Sequence, residues 1–224
     1  MKLVKVYSFP RSGTNMIEAL LKINFYPDQD LGVEGEWGHW SNRKKFKEPV
    51  PFGLLFGSHH YVDADNSIYI YRDGRAVAYS LWKSEGFLNP YLKSLNFSDF
   101  IRCKLDWKNS PGYPAQPPRQ TVFEQWYDHV NWYLTRTRKI NLVRYEELVM
   151  FPDRIVEQIA TRFGLSFESF KPLEERVGPS PNAGTIDAWR DVFFEDDLEY
   201  FHSIVPRDFK GLMDTPEREG YCVD

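Results

Sequence analysis

The chain has little cysteine: Cys103 and Cys222 are the two among 224 residues. Their separation gives neither a disulfide framework nor a metal spacing, so free thiols are expected, with a single bridge as the alternative. Positive charge is not in excess either. Against 28 Lys and Arg stand 32 Asp and Glu, a formal charge of −4. A general nucleic-acid binder needs a basic surface to neutralise phosphates, so no nucleic-acid partner is expected. No apolar run approaches the roughly 20 residues of a spanning helix. The N-terminus enters a strand-like run at once, without a signal-peptide pattern. No membrane partner and a cytoplasmic location follow as expectations. No cluster of His and carboxylates demands a metal, and none is expected. Internal repeats and low-complexity segments are also absent.

What the chain does have is core material: 42% of residues are apolar and 17% aromatic, too many for a disordered chain. The length suits one domain spanning 1–224. Short apolar runs read as strands at Leu3–Tyr7, Phe52–Gly57, Ser67–Tyr71 and Ile140–Tyr145. Helical spacing appears at Met16–Lys22, after Arg75 with Val77, Leu81 and Trp82, at Ser98–Trp107, and at Phe123–Leu134. Pro152 opens another helix that Gly164 closes, and Asp196–Ile204 is the last. Strands alternating with helices imply an α/β domain with a mainly parallel central sheet flanked by helices. Residues 26–51 and 86–120 are rich in Gly and Pro or lack periodicity, and read as functional loops, a lid or pocket wall among them.

Ser8-Phe9-Pro10-Arg11-Ser12-Gly13-Thr14-Asn15 lies between the first strand and the first helix. Gly13 permits close backbone approach, and Ser12, Thr14 and Asn15 add polar groups beside the open N–H groups of the helix start. Arg11 adds a permanent charge with a planar fork of donors. This is a P-loop-like anion site; a Pro/Gly turn with a helix cap is the alternative. In a parallel sheet, ligands bind beyond the carboxyl ends of the strands. Arg11–Asn15, His59 and Arg72 all follow strands, so three strand ends carry anion-binding or acid–base residues to one edge.

Pro10-Arg11-Ser12-Gly13-Thr14 after a strand, with Arg72 and Ser80 eight apart at a later strand-to-helix junction, resembles the sulfotransferases that use 3′-phosphoadenosine 5′-phosphosulfate (PAPS). Gly57-Ser58-His59 matches the strand end where that family carries its catalytic histidine. Trp126–His129 and Val143-Arg144-Tyr145-Glu146-Glu147-Leu148 look like its later helix and strand. The resemblance implies transfer of a sulfuryl group from PAPS to a hydroxyl or amine of a small-molecule acceptor, leaving adenosine 3′,5′-bisphosphate. It implies His59 as general base and Arg11 at the leaving 5′-phosphate, helped by Ser12, Gly13, Thr14 and Asn15. Arg72 and Ser80 would hold the 3′-phosphate, with Gly184 in a C-terminal element. Tyr145 reads equally as an adenine contact or a core residue. Trp37, Trp40 and His60 are assigned to the acceptor, and His60 is also the rival base.

Two departures stand out. Met16 occupies the position of a Trp that stacks on adenine in many family members. Near Gly184 and Trp189, Asn182 and Ala183 replace an Arg-Lys pair, with Arg190 or Arg176 as candidate substitutes. The alternatives are a P-loop kinase, whose Gly-x-x-x-x-Gly-Lys-Ser/Thr spacing is absent, and a non-catalytic nucleotide-binding module.

Overall fold

The computed structural model describes residues 4–27, 55–62, 67–84, 88–106, 120–136, 140–174 and 186–212. Four strands, β1 (Lys5–Ser8), β2 (Phe56–Ser58), β3 (Ser67–Tyr71) and β4 (Asn141–Arg144), form one sheet in the order β2-β1-β3-β4. Every pairing is parallel, so all four strands end at the same edge. The order reverses at β1: the chain leaves toward β2 and returns to β3 on the other side. Crevices for ligands form at such reversals, here between the carboxyl ends of β1 and β3.

Alternation of side chains along the strands gives the sheet two buried faces. Val6, Ile68, Ile70 and Val143 pack with Ile17, Leu20, Leu21, Ile155 and Ile159. These come from α1 (Thr14–Phe25) and α7 (Pro152–Phe163). Tyr7 and Tyr69 point the other way, into a larger cluster with Val77, Leu81, Phe123, Trp126 and Phe201. That cluster is built by α2 (Gly74–Lys83), α4 (Phe97–Arg102), α5 (Val122–Arg136) and α8 (Glu195–Ile204). The expected α/β class with a parallel sheet between helix layers is what forms. A Cβ on Gly57 would lie 2.4 Å from the Tyr7 ring, so glycine lets β2 pack closely there, beside a register shift in its pairing with β1.

Several boundaries differ from the sequence reading. The helix expected over Ser98–Trp107 spans Phe97–Arg102. The chain turns extended at Cys103 because Lys104 pairs with Thr121 and the Leu105 amide donates to the Gln120 carbonyl. These distant partners leave no trace in local periodicity. Tyr145 does not end β4 but begins a separate helix, α6 (Tyr145–Met150). The Glu146 carboxylate there accepts from the Asp73 amide at 2.9 Å, tying α6 to the turn after β3. A short helix, α3 (Pro90–Lys93), and a 3₁₀ turn at Ala188–Asp191 lie in segments where no element was expected. Among the described residues, no helix is long and apolar enough to cross a membrane.

α5 braces the turn beyond β3. The Trp126 indole donates to the Arg72 carbonyl at 3.0 Å. Its ring leaves no space at Gly74, where a Cβ would come within 2.7 Å. Gly74→Ala is expected to destabilise the fold, because overpacking costs about 1–3 kcal/mol and exceeds the helix-propensity gain of at most about 1 kcal/mol. A urea midpoint equal to or above the parent's would contradict this packing.

Candidate active site

The loop after β1 is shaped for an anion. Arg11 has φ +69° and Gly13 φ +93°, both left-handed. Gly13 caps α1 without a side-chain hydrogen bond, so the first amides of the helix point outward with the positive end of its dipole. The Ser12 Oγ and Asn15 Oδ1 atoms are buried and have no hydrogen-bond partner among the described residues. Such atoms cost free energy unless something polar meets them. A Cβ at Gly13 would sit 2.2 Å from the Tyr145 ring, so the loop lies directly on that ring.

Two arginines converge there. The Arg72 guanidinium covers the Tyr145 ring at 4.5 Å, and its Nη1 reaches the Arg11 carbonyl at 3.5 Å. The Arg11 Nε donates to Ser80 Oγ at 3.0 Å. Sequence spacing coupled Ser80 to Arg72; in the fold Arg11 also crosses to α2 and contacts Ser80 itself. Arg72 is 7% exposed and Ser80 2%, which makes both part of the interior rather than a solvated rim. Tyr145, at 7%, is at once a core residue and the floor under Arg72.

His59 is 1% exposed, so it is no surface residue at a strand end. Its Nδ1 lies 2.7 Å from the Ser8 carbonyl and 3.2 Å from Ser8 Oγ. A carbonyl only accepts, so Nδ1 carries the proton and Nε2 is the basic nitrogen. Ser8 Oγ also bonds Thr14 Oγ1 at 2.7 Å, which joins the histidine to the start of α1. Burial, opposed by the Ser8 hydrogen bond, pulls the His59 pKa down to about 4. Behind it, His129 on α5 places Nε2 3.0 Å from the His59 carbonyl and Nδ1 2.8 Å from the Tyr69 hydroxyl. Burial, with the neighbouring His59, lowers His129 to about 3. His60 is half-buried, and its carbonyl accepts from the Tyr133 hydroxyl at 2.9 Å.

Arg11, Ser12, Gly13, Thr14, Asn15, Arg72, Ser80, Tyr145 and His59 thus come together at one sheet edge. Trp37, Trp40 and Gly184 lie outside the described residues, as do Asn182, Ala183, Arg176 and Cys222. Met16 packs on the core cluster of Val6, Ile68 and Ile70, and the Arg190 guanidinium lies 4.7 Å from the Trp189 ring. Sequence reasoning missed Ser8, Tyr69 and the contacts of His129. Ser8 carries no motif, and the other two are bonded across 60 residues. Among the described residues no group of three or more His, Cys, Asp or Glu is placed to hold a metal.

A family model for the sulfotransferase domain matches residues 3–180. The chain belongs to the sulfotransferase family. Its fold is also similar to solved structures. Mouse sulfotransferase SULT7A1 complexed with PAP matches with TM-score 0.57 and 14% identity, over 93% of this chain and 86% of that one. Retinol dehydratase in complex with androsterone and the inactive cofactor PAP matches with TM-score 0.55 and 17% identity, over 96% and 82%. No curated protein sequence matches. The family expected from two anion-binding elements and an intervening histidine is the one found.

The histidine pair has a signature in acid. Unfolded histidine titrates near 6.5, while folded His59 and His129 stay neutral to about 4 and 3. Between those values the unfolded chain binds more protons, so stability rises with pH. The contribution is complete above pH 6.5 and is lost as pH falls toward the folded values. Glu18 and Glu146, raised by burial, act in the opposite sense. The difference between parent and His129→Gln isolates the ring: the parent's advantage in urea midpoint should shrink from pH 6.5 to 4. A difference independent of pH would mean that His129 is not held neutral.

Proposed function

We propose that this sulfotransferase moves the sulfuryl group of PAPS to a hydroxyl or amine of a small-molecule acceptor, with His59 as general base. The observation that carries the reading is the meeting of Arg11, Arg72 and Ser80 over Tyr145, with His59 bonded to the last residue of the same strand, Ser8. The residues fit an anionic nucleotide: the buried Ser12 hydroxyl of the β1 loop can donate to a phosphate oxygen, and the Arg11 and Arg72 guanidiniums lie at the same sheet edge. The PAP in both similar structures supports the same cofactor. Androsterone, in one of them, supports a small-molecule acceptor.

PAPS supplies the sulfuryl group and departs as adenosine 3′,5′-bisphosphate. Arg11 and the open amides at the start of α1 hold the 5′-phosphate end and neutralise charge on the leaving oxygen. Such preorganised donors act without reorganising during reaction. Arg72, levelled on Tyr145, and Ser80 hold the 3′-phosphate. His59 takes the acceptor proton at Nε2, since its Nδ1 proton is committed to the Ser8 carbonyl. The acceptor lies against residues 26–51 and 86–120, with Trp37, Trp40 and His60 as contacts.

Adenosine 3′,5′-bisphosphate should therefore bind in preference to ADP. Arg72→Ala should weaken it by about 1.5–3 kcal/mol, the range for a hydrogen bond to a charged group. Calorimetry showing ADP bound equally or more tightly would move the kinase reading ahead.

His59→Ala should leave bisphosphate affinity nearly intact and lower kcat about 10²–10⁴-fold, the usual share of a general base. Arg11→Ala should weaken both binding and turnover, because its charge acts in the ground state and more strongly in the transition state. With the base near pKa 4, the acid limb of kcat/KM should fall below pH 5 rather than near 6.5. An inactive His60→Ala beside an active His59→Ala would reassign the base to the neighbouring histidine.

A further inference from the structure

One buried titratable group in contact with the site has no part in the reaction as proposed so far. His129 is 1% exposed and sits on α5, which contributes nothing to the anion loop. It makes two hydrogen bonds whose directions can be worked out. The Tyr69 hydroxyl receives a hydrogen bond from the Phe9 amide, so its own proton is free to donate. It gives that proton to His129 Nδ1 at 2.8 Å. His129 then carries its hydrogen on Nε2, and donates it to the His59 carbonyl at 3.0 Å. The chain runs from the Phe9 amide, in the anion loop, through Tyr69 of the central strand β3 and His129 of α5 to the backbone of His59. Each link has a donor and an acceptor, and no link works if reversed, because the carbonyl at the end cannot donate.

The next turn of α5 repeats the grip. Tyr133 lies four residues on, hence on the same helix face. Its hydroxyl donates to the His60 carbonyl at 2.9 Å and accepts from the Val62 amide at 3.2 Å. The Tyr133 ring stacks on Tyr69 at 3.8 Å. Consecutive carbonyls of the segment after β2 are thus held by consecutive turns of one helix, while Ser8 holds the imidazole from the opposite side. His59 has its ring fixed by β1 and its backbone fixed by α5.

We propose that His129 is a positioning residue for sulfuryl transfer: by donating to the His59 carbonyl and accepting from Tyr69, it fixes the His59 backbone so that the ring keeps the Ser8 bond that sets its tautomer and turns Nε2 toward the acceptor. The proposal rests on His59 being the base. It makes a particular demand at position 129. The residue there must donate from the place of Nε2, so glutamine, whose amide nitrogen falls at that place, can substitute. Asparagine, whose amide matches Nδ1, and leucine cannot.

The test is a long-range proton–nitrogen correlation on protein labelled with ¹⁵N-histidine, at pH 7, with the His59 signal assigned from the His59→Ala spectrum. In the parent, His59 should show one tautomer, protonated at Nδ1, and His129 one protonated at Nε2. In His129→Asn and His129→Leu, the His59 ring should become a mixture of tautomers; in His129→Gln it should keep the parent pattern. Turnover with labelled PAPS and 4-nitrophenol should fall on the order of tenfold to a hundredfold in the Asn and Leu variants, the scale for a slightly misplaced reacting group. It should return to within a few-fold in the Gln variant. The dissociation constant for adenosine 3′,5′-bisphosphate should stay within about twofold throughout, since no link of the chain touches the loop's anion-facing groups. In a His59→Ala background, His129→Leu should cause no further loss of turnover. A merely structural role would lower the melting temperature of all three variants and leave the His59 tautomer alone. That result, or a Gln variant no better than Asn, overturns the proposal. Should Leu fail to fold, the Gln and Asn pair decides. If His59→Ala retains full turnover, the base assignment fails, and the tautomer readout still judges the His129 contact by itself.

Discussion

The hydrogen bond from His59 Nδ1 to the Ser8 carbonyl is the contact on which the site depends. It joins the ends of two neighbouring parallel strands, and it does so at the last residue of β1, before the anion loop begins. Ser8 is bonded on its side chain to Thr14 as well, so one residue connects the histidine, the strand and the first turn of α1. The parallel sheet makes this possible: with every strand ending at one edge, residues from β1, β2 and β3 meet without long connecting structure. An antiparallel arrangement would send alternate strand ends to opposite edges.

A chain of net charge −4 has to provide positive potential locally. It does so by placing Arg11 and Arg72 where nearby carboxylates are already engaged with backbone or other cations. Asp73 caps α2 and pairs with Arg75. Glu146 accepts from the Asp73 amide. The two acids nearest the site in sequence are thereby held by the turn after β3, and the Arg72 guanidinium rests on the neutral Tyr145 ring. The low-dielectric surroundings that make such guanidiniums effective toward an anion also make an unpaired carboxylate there costly.

Much of this was legible in the sequence, because strands in a doubly covered parallel sheet read as compact apolar runs. Ser67–Tyr71 and the helix from Pro152 to Gly164 are found at their expected bounds. The strand ends then place Arg11, His59 and Arg72 at one edge by topology alone. What stayed hidden was every link made by a residue without a motif. Ser8 is one more small residue at the end of a strand until His59 arrives from 51 positions away. Tyr69 reads as core, and its hydroxyl partner is 60 residues downstream. The early end of α4 has the same cause, since Lys104 is drawn off by Thr121. Periodicity reports which face of an element is buried; it carries no information about which polar atom on that face meets which.

The depressed pKa of His59 looks at first like a handicap for a base, since a pKa of about 4 means weak proton affinity. The cause resolves the difficulty. Burial lowers the value because it penalises the imidazolium, and the penalty is set by what surrounds the ring. Beside burial, the neighbouring His60 also disfavours the cation. In the proposed mechanism a bound phosphosulfate would place several negative charges at the adjoining loop, and each would stabilise a proton on His59. Above its lowered pKa of about 4 the ring is neutral, the form a base requires. On that proposal its basicity would rise with the anionic donor bound, in the complex in which transfer can follow.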